Sequence, residues 1–172
     1  MGTLSASGLQ LTRAAVTDAE LIADLAREIW QKHYPPIIGQ EQVDYMLKLM
    51  YPKENIVREM NNGQHFHFIG SAERRVGYIS WSFPAENELF IHKFYIDTAE
   101  QGRGIGKRTF TELLELHPKV KTIRLTVNRN NYKSINFYFR LGFVIEEVKD
   151  IDIGNGFFMK DFVMKWGSEA RK

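Results

Sequence analysis

The stretch Gln101-Gly102-Arg103-Gly104-Ile105-Gly106 decides how the rest of the chain is read. Glycines alternate with other residues, and Arg103 stands between the first two. A strand-like run, Glu88 to Asp97, leads into it, and Phe110, Leu113, Leu114 and His117 recur after it at helical spacing. A glycine-rich turn from strand to helix aims bare backbone N–H groups at one point, at the positive end of the helix dipole, and so suits a phosphate. The pattern G-x-G-x-G does not fit the dinucleotide fingerprint G-x-G-x-x-G. It does not fit the triphosphate loop either, which needs Lys-Ser or Lys-Thr after the last glycine where this chain has Lys107-Arg108. A tight turn would use the same glycines for its own geometry. Arg103, Lys107 and Arg108 favour an anion, because two or three charge-assisted contacts suit a pyrophosphate or a ribose phosphate.

On the N-terminal side, Leu9 and Leu11 alternate with polar residues as a first strand. Thr17-Asp18-Ala19-Glu20 reads as a capping box. It opens a helix with Leu21, Ile22, Leu25, Ile29 and Trp30 on its apolar side, stopped by Pro35-Pro36. Val43, Met46, Leu47 and Met50 mark a second helix; Ile56, Val57 and Met60 mark a short third, ended by Gly63. The period then shortens. Gln64 to Ser71 alternates aromatics with histidines, Ala72 to Arg75 reads as a hairpin turn, Val76 to Phe83 as a strand, and Pro84 to Asn87 as the next turn.

Beyond the glycine turn a helix is expected from Gly104 to His117, with Pro118 behind it. Ile123, Leu125 and Val127 alternate as a buried strand. A helix from about Asn131 to Leu141 should be closed by Gly142, with Phe143 folding back on it. Two last strands, about Phe143 to Ile153 and Phe157 to Trp166, flank Gly154-Asn155-Gly156. The expected fold class is α/β, in the order β-α-α-β-β-β-α-β-α-β-β, with helices around a mixed sheet.

Composition narrows the function. With 172 residues, 44% hydrophobic and 26% charged, the chain reads as one globular domain, residues 9–172, behind a short flexible tail, residues 1–8. A formal charge of +2 with mixed signs speaks against nucleic acid as a partner. No apolar run reaches the ~20 residues of a membrane span, so no membrane partner is expected. The tail lacks the basic-then-apolar order of a signal peptide, and a cytoplasmic location is the default expectation. The absence of cysteine removes disulfides, thiolate metal sites and a thioester-linked enzyme intermediate. His65 and His67 share a strand face, but no third ligand is evident nearby, so no metal is expected.

A second constellation is Asn131-x-x-Ser134-x-x-x-Tyr138, followed by Leu141-Gly142-Phe143. Offsets of three and seven put the three side chains within about 60° on one helix face. An amide, a hydroxyl and a phenol on that stripe are unusual where a core helix carries Leu or Val. The alternative is that Asn131 caps the helix and Tyr138 packs as a core aromatic.

Together the two constellations resemble the GNAT superfamily of acyl-CoA-dependent N-acetyltransferases. Gln101-x-x-Gly104-x-Gly106 resembles its pyrophosphate motif, and Asn131-x-x-Ser134-x-x-x-Tyr138 ending in Leu-Gly-Phe resembles its second motif. The element order is similar over residues 9–166. The closing stretch, Asp152 to Phe157 and on to Met164, is similar to a bacterial branch that includes polyamine acetyltransferases.

The resemblance implies acetyl-CoA as co-substrate. Its pantetheine arm would lie where the Glu88–Asp97 and Ile123–Asn128 strands splay, bonded to backbone at Phe94, Tyr95 and Ile96. The pyrophosphate would sit over Gly102, Arg103, Gly104, Ile105, Gly106 and Lys107, with Gln101 opening the motif. A backbone N–H near Ile96 would polarise the thioester carbonyl and stabilise the oxyanion. Tyr138 takes the place of the general acid, a phenol of pKa about 10 serving a comparably basic thiolate. Asn131 would bond the cofactor with Ser134 in support.

Without cysteine, a substrate amine should attack directly in a ternary complex. Such an amine has a pKa of about 10.4 and must first lose a proton. Glu88, Phe90, His92, Phe94 and Ile96 share one strand face, so His92 and Glu88 lead as base, the alternative for His92 being a packed or solvent-facing strand residue. His33 and Tyr34 either line the acceptor pocket or merely end a helix, and Glu41, Asp44, Glu86 and Glu88 would attract a cation. The expected acceptor is a small primary amine such as a polyamine. The alternatives are a protein N-terminus or lysine, or a non-catalytic acyl-CoA-binding regulator. Exposed strand edges near the C-terminus allow a homodimer.

Overall fold

The computed structural model describes residues 8–71 and 73–168. Residues 1–7 of the expected tail and Ala72 of the expected hairpin turn lie outside the described residues. The chain forms two compact units, one up to Ser82 with Lys93–Pro118, the other Phe83–His92 with the chain from Lys119 on.

The first unit starts with β1 (Gln10–Arg13), followed by α1 (Ala19–His33), α2 (Pro35–Ile38), α3 (Gln40–Met50) and α4 (Lys53–Asn61). Then come β2 (His65–Gly70) and β3 (Arg75–Ala85), which runs on into the second unit. β4 (Glu88–Ile96) returns to the first unit at Lys93 and leads to α5 (Ile105–Leu116). β1 and β2 pair antiparallel from Gln10↔Gly70 to Arg13↔His67, and β2 and β3 pair antiparallel from His65↔Trp81. Phe66, Phe68, Ile69, Tyr78, Ile79 and Trp81 are buried and form core, whereas Phe83 of the same aromatic-rich strands is exposed.

The second unit holds β5 (Thr122–Asn128), α6 (Tyr132–Leu141), β6 (Val144–Gly154) and β7 (Phe157–Gly167). β4 pairs parallel with β5 from Glu88↔Thr122 to Ile91↔Leu125, and β5 pairs antiparallel with β7. β6 pairs antiparallel with β7 across two bulges. Hydrogen bonding orders the strands β1-β2-β3-β4-β5-β7-β6, a mixed seven-stranded sheet. The α/β expectation holds.

Four helices precede β2, where the sequence pattern marks three and the expected order counts two; the additional one is α2. Pro35-Pro36 does end α1, but Pro35 also starts α2, because a proline at the first helical position loses no hydrogen bond. The capping box at Thr17 is not formed. Val16–Asp18 makes a 3-10 turn instead, and Asp18 accepts a hydrogen bond from the Ala15 N–H at 2.9 Å. Leu21 is exposed; alanines at 19, 23 and 26 complete the buried stripe with Ile22, Ile29 and Trp30.

Two features of this unit generate measurable consequences. A Cβ at Gly77 would stand 2.2 Å from the Tyr95 carbonyl oxygen, so only glycine lets β3 approach β4 here. Gly77→Ala should destabilise the fold by about 1–3 kcal/mol, read as a lower midpoint in urea unfolding. His67 stacks on Trp81 with centroids 4.3 Å apart. Burial, then the nearby charges of His65, Arg13 and His117, push His67 from 6.5 down to about 4. The unfolded chain therefore binds a proton that the folded chain refuses between those values, and stability falls as pH drops from about 6.5 towards 4. His67→Phe should flatten the dependence of Tm on pH across that window.

Candidate active site

In the first unit the glycine turn hangs from the end of β4. The Asp97 N–H donates to the Val76 carbonyl at 2.8 Å, and the Asp97 carboxylate accepts from the Ala99 N–H at 3.0 Å. A short 3-10 turn, Thr98–Glu100, follows. The Gln101 amide then reaches back and donates to the Ile96 carbonyl at 3.1 Å. This clip ties the motif to the strand that precedes it. Glu100 is buried, and its carboxylate accepts from Arg74 at 2.6 Å and from Arg103 at 2.9 Å. Arg103 is therefore half-neutralised inside the loop and less available to a ligand than its sequence position suggests.

Gly102 and Gly104 have φ of 82° and 77°, a region that other residues enter at a cost of about 1–2 kcal/mol. An added Cβ at either would meet nothing within 4 Å, so the outer face of the turn is open. The first helical bond of α5 runs from the Arg108 N–H to the Gly104 carbonyl at 3.0 Å. The N–H groups of Gly104, Ile105, Gly106 and Lys107 thus precede the helical ladder and have no intrahelical acceptor. Lys107 and Arg108 are exposed beside them. The open face, the free N–H groups and the helix dipole fit a pyrophosphate.

Phe94, Tyr95 and Ile96 are half-buried at the end of β4. The Tyr95 ring lies 6.1 Å from Tyr34, and Tyr34 lies 4.8 Å from His33. The helix end that carries His33 and Tyr34 is therefore brought beside the β4 segment singled out in the sequence.

In the second unit, Asn131 is buried and caps α6, its Oδ1 accepting from the Ser134 N–H at 3.2 Å. The spacing Asn131-x-x-Ser134 is thus also the spacing of an N-cap and its third helical residue. At the other end Gly142 is left-handed, its N–H donates to the Phe139 carbonyl, and the Phe143 N–H donates to the Tyr138 carbonyl. This is a Schellman closure, and it sets the Phe143 ring 5.5 Å from Tyr138. Tyr138 is 8% exposed, with its ring fixed at the last turn.

The first residues of β4 obey the expected alternation: Leu89 and Ile91 are buried, Glu88 and Phe90 half-buried, and His92 exposed. His92 rests against Phe90 at 4.9 Å. Glu88 opens the strand and pairs with Arg124 at 3.3 Å; Arg124 also holds Glu146 at 2.7 Å. Glu88 is thus committed to an ion-pair network.

Three groups escaped the sequence reading. Glu100 adjoins the motif, but its partner Arg74 lies far along the chain and left no local signal. Lys93 occupies a buried position of β4, pairs with Glu59 at 2.7 Å, and is pushed down by burial. A charge in register with Leu89 and Ile91 was the available signal. The Tyr78 hydroxyl donates to Tyr51 at 2.8 Å in the core. Among the described residues no group of three or more His, Asp or Glu is arranged to hold a metal ion.

The model of the acetyltransferase (GNAT) family matches residues 22–143. The chain is 24% identical over 151 residues to spermidine N(1)-acetyltransferase of Thermoplasma acidophilum, covering 84% of this chain and 93% of that one. Its fold is similar to PaiA N-acetyltransferase from Thermoplasma acidophilum, solved in complex with coenzyme A, at a TM-score of 0.75 and 25% identity over 92% of this chain and 98% of that one. It is also similar to a GCN5-related N-acetyltransferase from Rhodopseudomonas palustris at a TM-score of 0.76 and 17% identity, covering 97% of each, a likeness of fold alone. With the glycine turn, the Asn131–Tyr138 stripe and the mixed sheet already in place, these matches make the chain an acyltransferase that belongs to the acetyltransferase (GNAT) family.

Proposed function

We propose that the protein transfers an acetyl group from acetyl-CoA to a primary amine of a small molecule, a polyamine being the acceptor class. The observation that carries this is the open glycine turn, with the N–H groups of Gly104 to Lys107 outside the helical ladder. The coenzyme A held by the similar PaiA acetyltransferase and the spermidine specificity in the name of the Thermoplasma relative support it.

In this reading the turn from Gly102 to Lys107 binds the pyrophosphate, mainly through backbone N–H groups and the Lys107 charge. Gln101 acts indirectly by clipping the turn to Ile96. Backbone at Phe94, Tyr95 and Ile96 orients the pantetheine arm. Asn131 and Ser134 hold the first turn of α6 and present it to the cofactor. Coenzyme A supplies the activated acetyl group as a thioester. The chain has no cysteine, so the amine attacks that thioester directly. His92, exposed on β4, receives the proton of the ammonium directly or through water. It stands ahead of Glu88, whose carboxylate Arg124 already holds. Tyr138 gives a proton to the departing thiolate. His33 and Tyr34 line the approach of the acceptor.

Thiol release from acetyl-CoA, measured against polyamines, amino acids and peptides, tests the acceptor class: polyamines should be turned over fastest. Release with peptides but not polyamines moves the acceptor to protein amines. Tyr138→Phe should lower kcat by about 10²–10⁴-fold while acetyl-CoA affinity holds; unchanged turnover removes Tyr138 as the acid. His92→Ala should lower kcat/KM and alter its dependence on pH, and a wild-type profile across pH removes His92 as the base.

A further inference from the structure

The second unit presents an unusual strand. β6 is the last strand of the sheet, and Val144 to Asp152 are all exposed, on both faces. Four of these are large aliphatics, with Val144 60%, Ile145 40%, Val148 55% and Ile151 41% exposed. An edge strand in water ordinarily carries few such residues, because its free N–H and C=O groups invite another strand. At about 3.3 Å per residue its eleven residues offer an edge roughly 36 Å long.

The charges on β6 specify the occupant. Glu146 is taken by Arg124 and Lys165, and Asp150 by Arg129. Glu147 and Lys149 pair with each other along the strand at 3.3 Å, both half-exposed. A two-fold axis perpendicular to the sheet must set residues of one face opposite one another, so a self-pairing is centred on a single residue. Centring on Glu147, Lys149 or Asp150 opposes like charges. Centring on Val148 sets Val148 against its own copy and Glu147 against Lys149 of the second copy, twice by symmetry. Glu146 is the extra residue of a β-bulge. With it unpaired, Val144 falls opposite Ile151 of the second copy. We infer that β6 is a homodimer edge: two copies of this chain join antiparallel through β6, centred on Val148. The interface continues the sheet across the axis and covers aliphatics that one copy leaves in water. It stands independently of the acetyltransferase reading.

The full chain should run as a dimer in sedimentation equilibrium at tens of micromolar. E147K alone opposes two lysine pairs and K149E alone two glutamate pairs, so each should weaken the dimer by roughly tenfold or more. An equimolar mixture of the two variants should form a heterodimer, and the doubly exchanged chain E147K/K149E a homodimer. Folding of each variant is followed by thermal melting, and the two rescues separate a lost interface from a lost fold. A monomeric wild type, single variants as dimeric as the wild type, or a mixture that stays monomeric overturns the proposal.

Discussion

The first backbone N–H groups of α5 have no carbonyl to pair with, and the architecture around the turn follows from that constraint. Buried without partners, each would cost about 1–3 kcal/mol. Gly102 and Gly104 stand beside them at positive φ, and a Cβ added at either would meet nothing within 4 Å, so no side chain closes the turn there. Such a turn has little packing of its own. It is held by the Asp97 cap, by the Gln101 clip to Ile96, and by Glu100 beneath its two arginines. The upstream strand is held in turn, since Gly77 lets β3 close on the Tyr95 carbonyl.

In the proposed reading the same residues serve fold and chemistry, which accounts for motifs that are compact in sequence. Asn131 caps a helix that ends at Leu141, and its closure, which takes in the Tyr138 carbonyl, needs a left-handed residue such as Gly142. Arg103 looks like a ligand for an anion, yet its guanidinium meets a buried carboxylate first. The positive field of the turn then comes from N–H dipoles and Lys107 more than from Arg103. A backbone cradle recognises the shape of a pyrophosphate and does not depend on a long side chain holding one rotamer.

What was legible in the sequence was local. Glycine at fixed offsets, the alternation of β4 and the closing Leu-Gly-Phe each depend on neighbours within one turn or one strand, and each stands where expected. The misreadings have physical causes. The Thr17 box yielded to a 3-10 turn, because Asp18 found the Ala15 N–H first. Leu21 lost its place to small alanines that let α1 pack closely. Glu100 with Arg74, and Lys93 with Glu59, are pairs made by tertiary folding; spacing carries no trace of the first, and of the second only a charge in register with the buried Leu89 and Ile91. The candidate site was legible as residue types; the commitments of Glu88 and Arg103 to ion pairs were not.

The central claim is that the turn from Gly102 to Lys107 recognises a pyrophosphate. Isothermal titration of the protein with coenzyme A and with pantetheine, which shares the thiol arm but lacks the pyrophosphate and the 3′-phosphoadenosine it carries, measures what that end of the molecule contributes. Coenzyme A should bind roughly tenfold or more tightly than pantetheine, the equivalent of about 1.4 kcal/mol. Equal affinities would contradict the cradle.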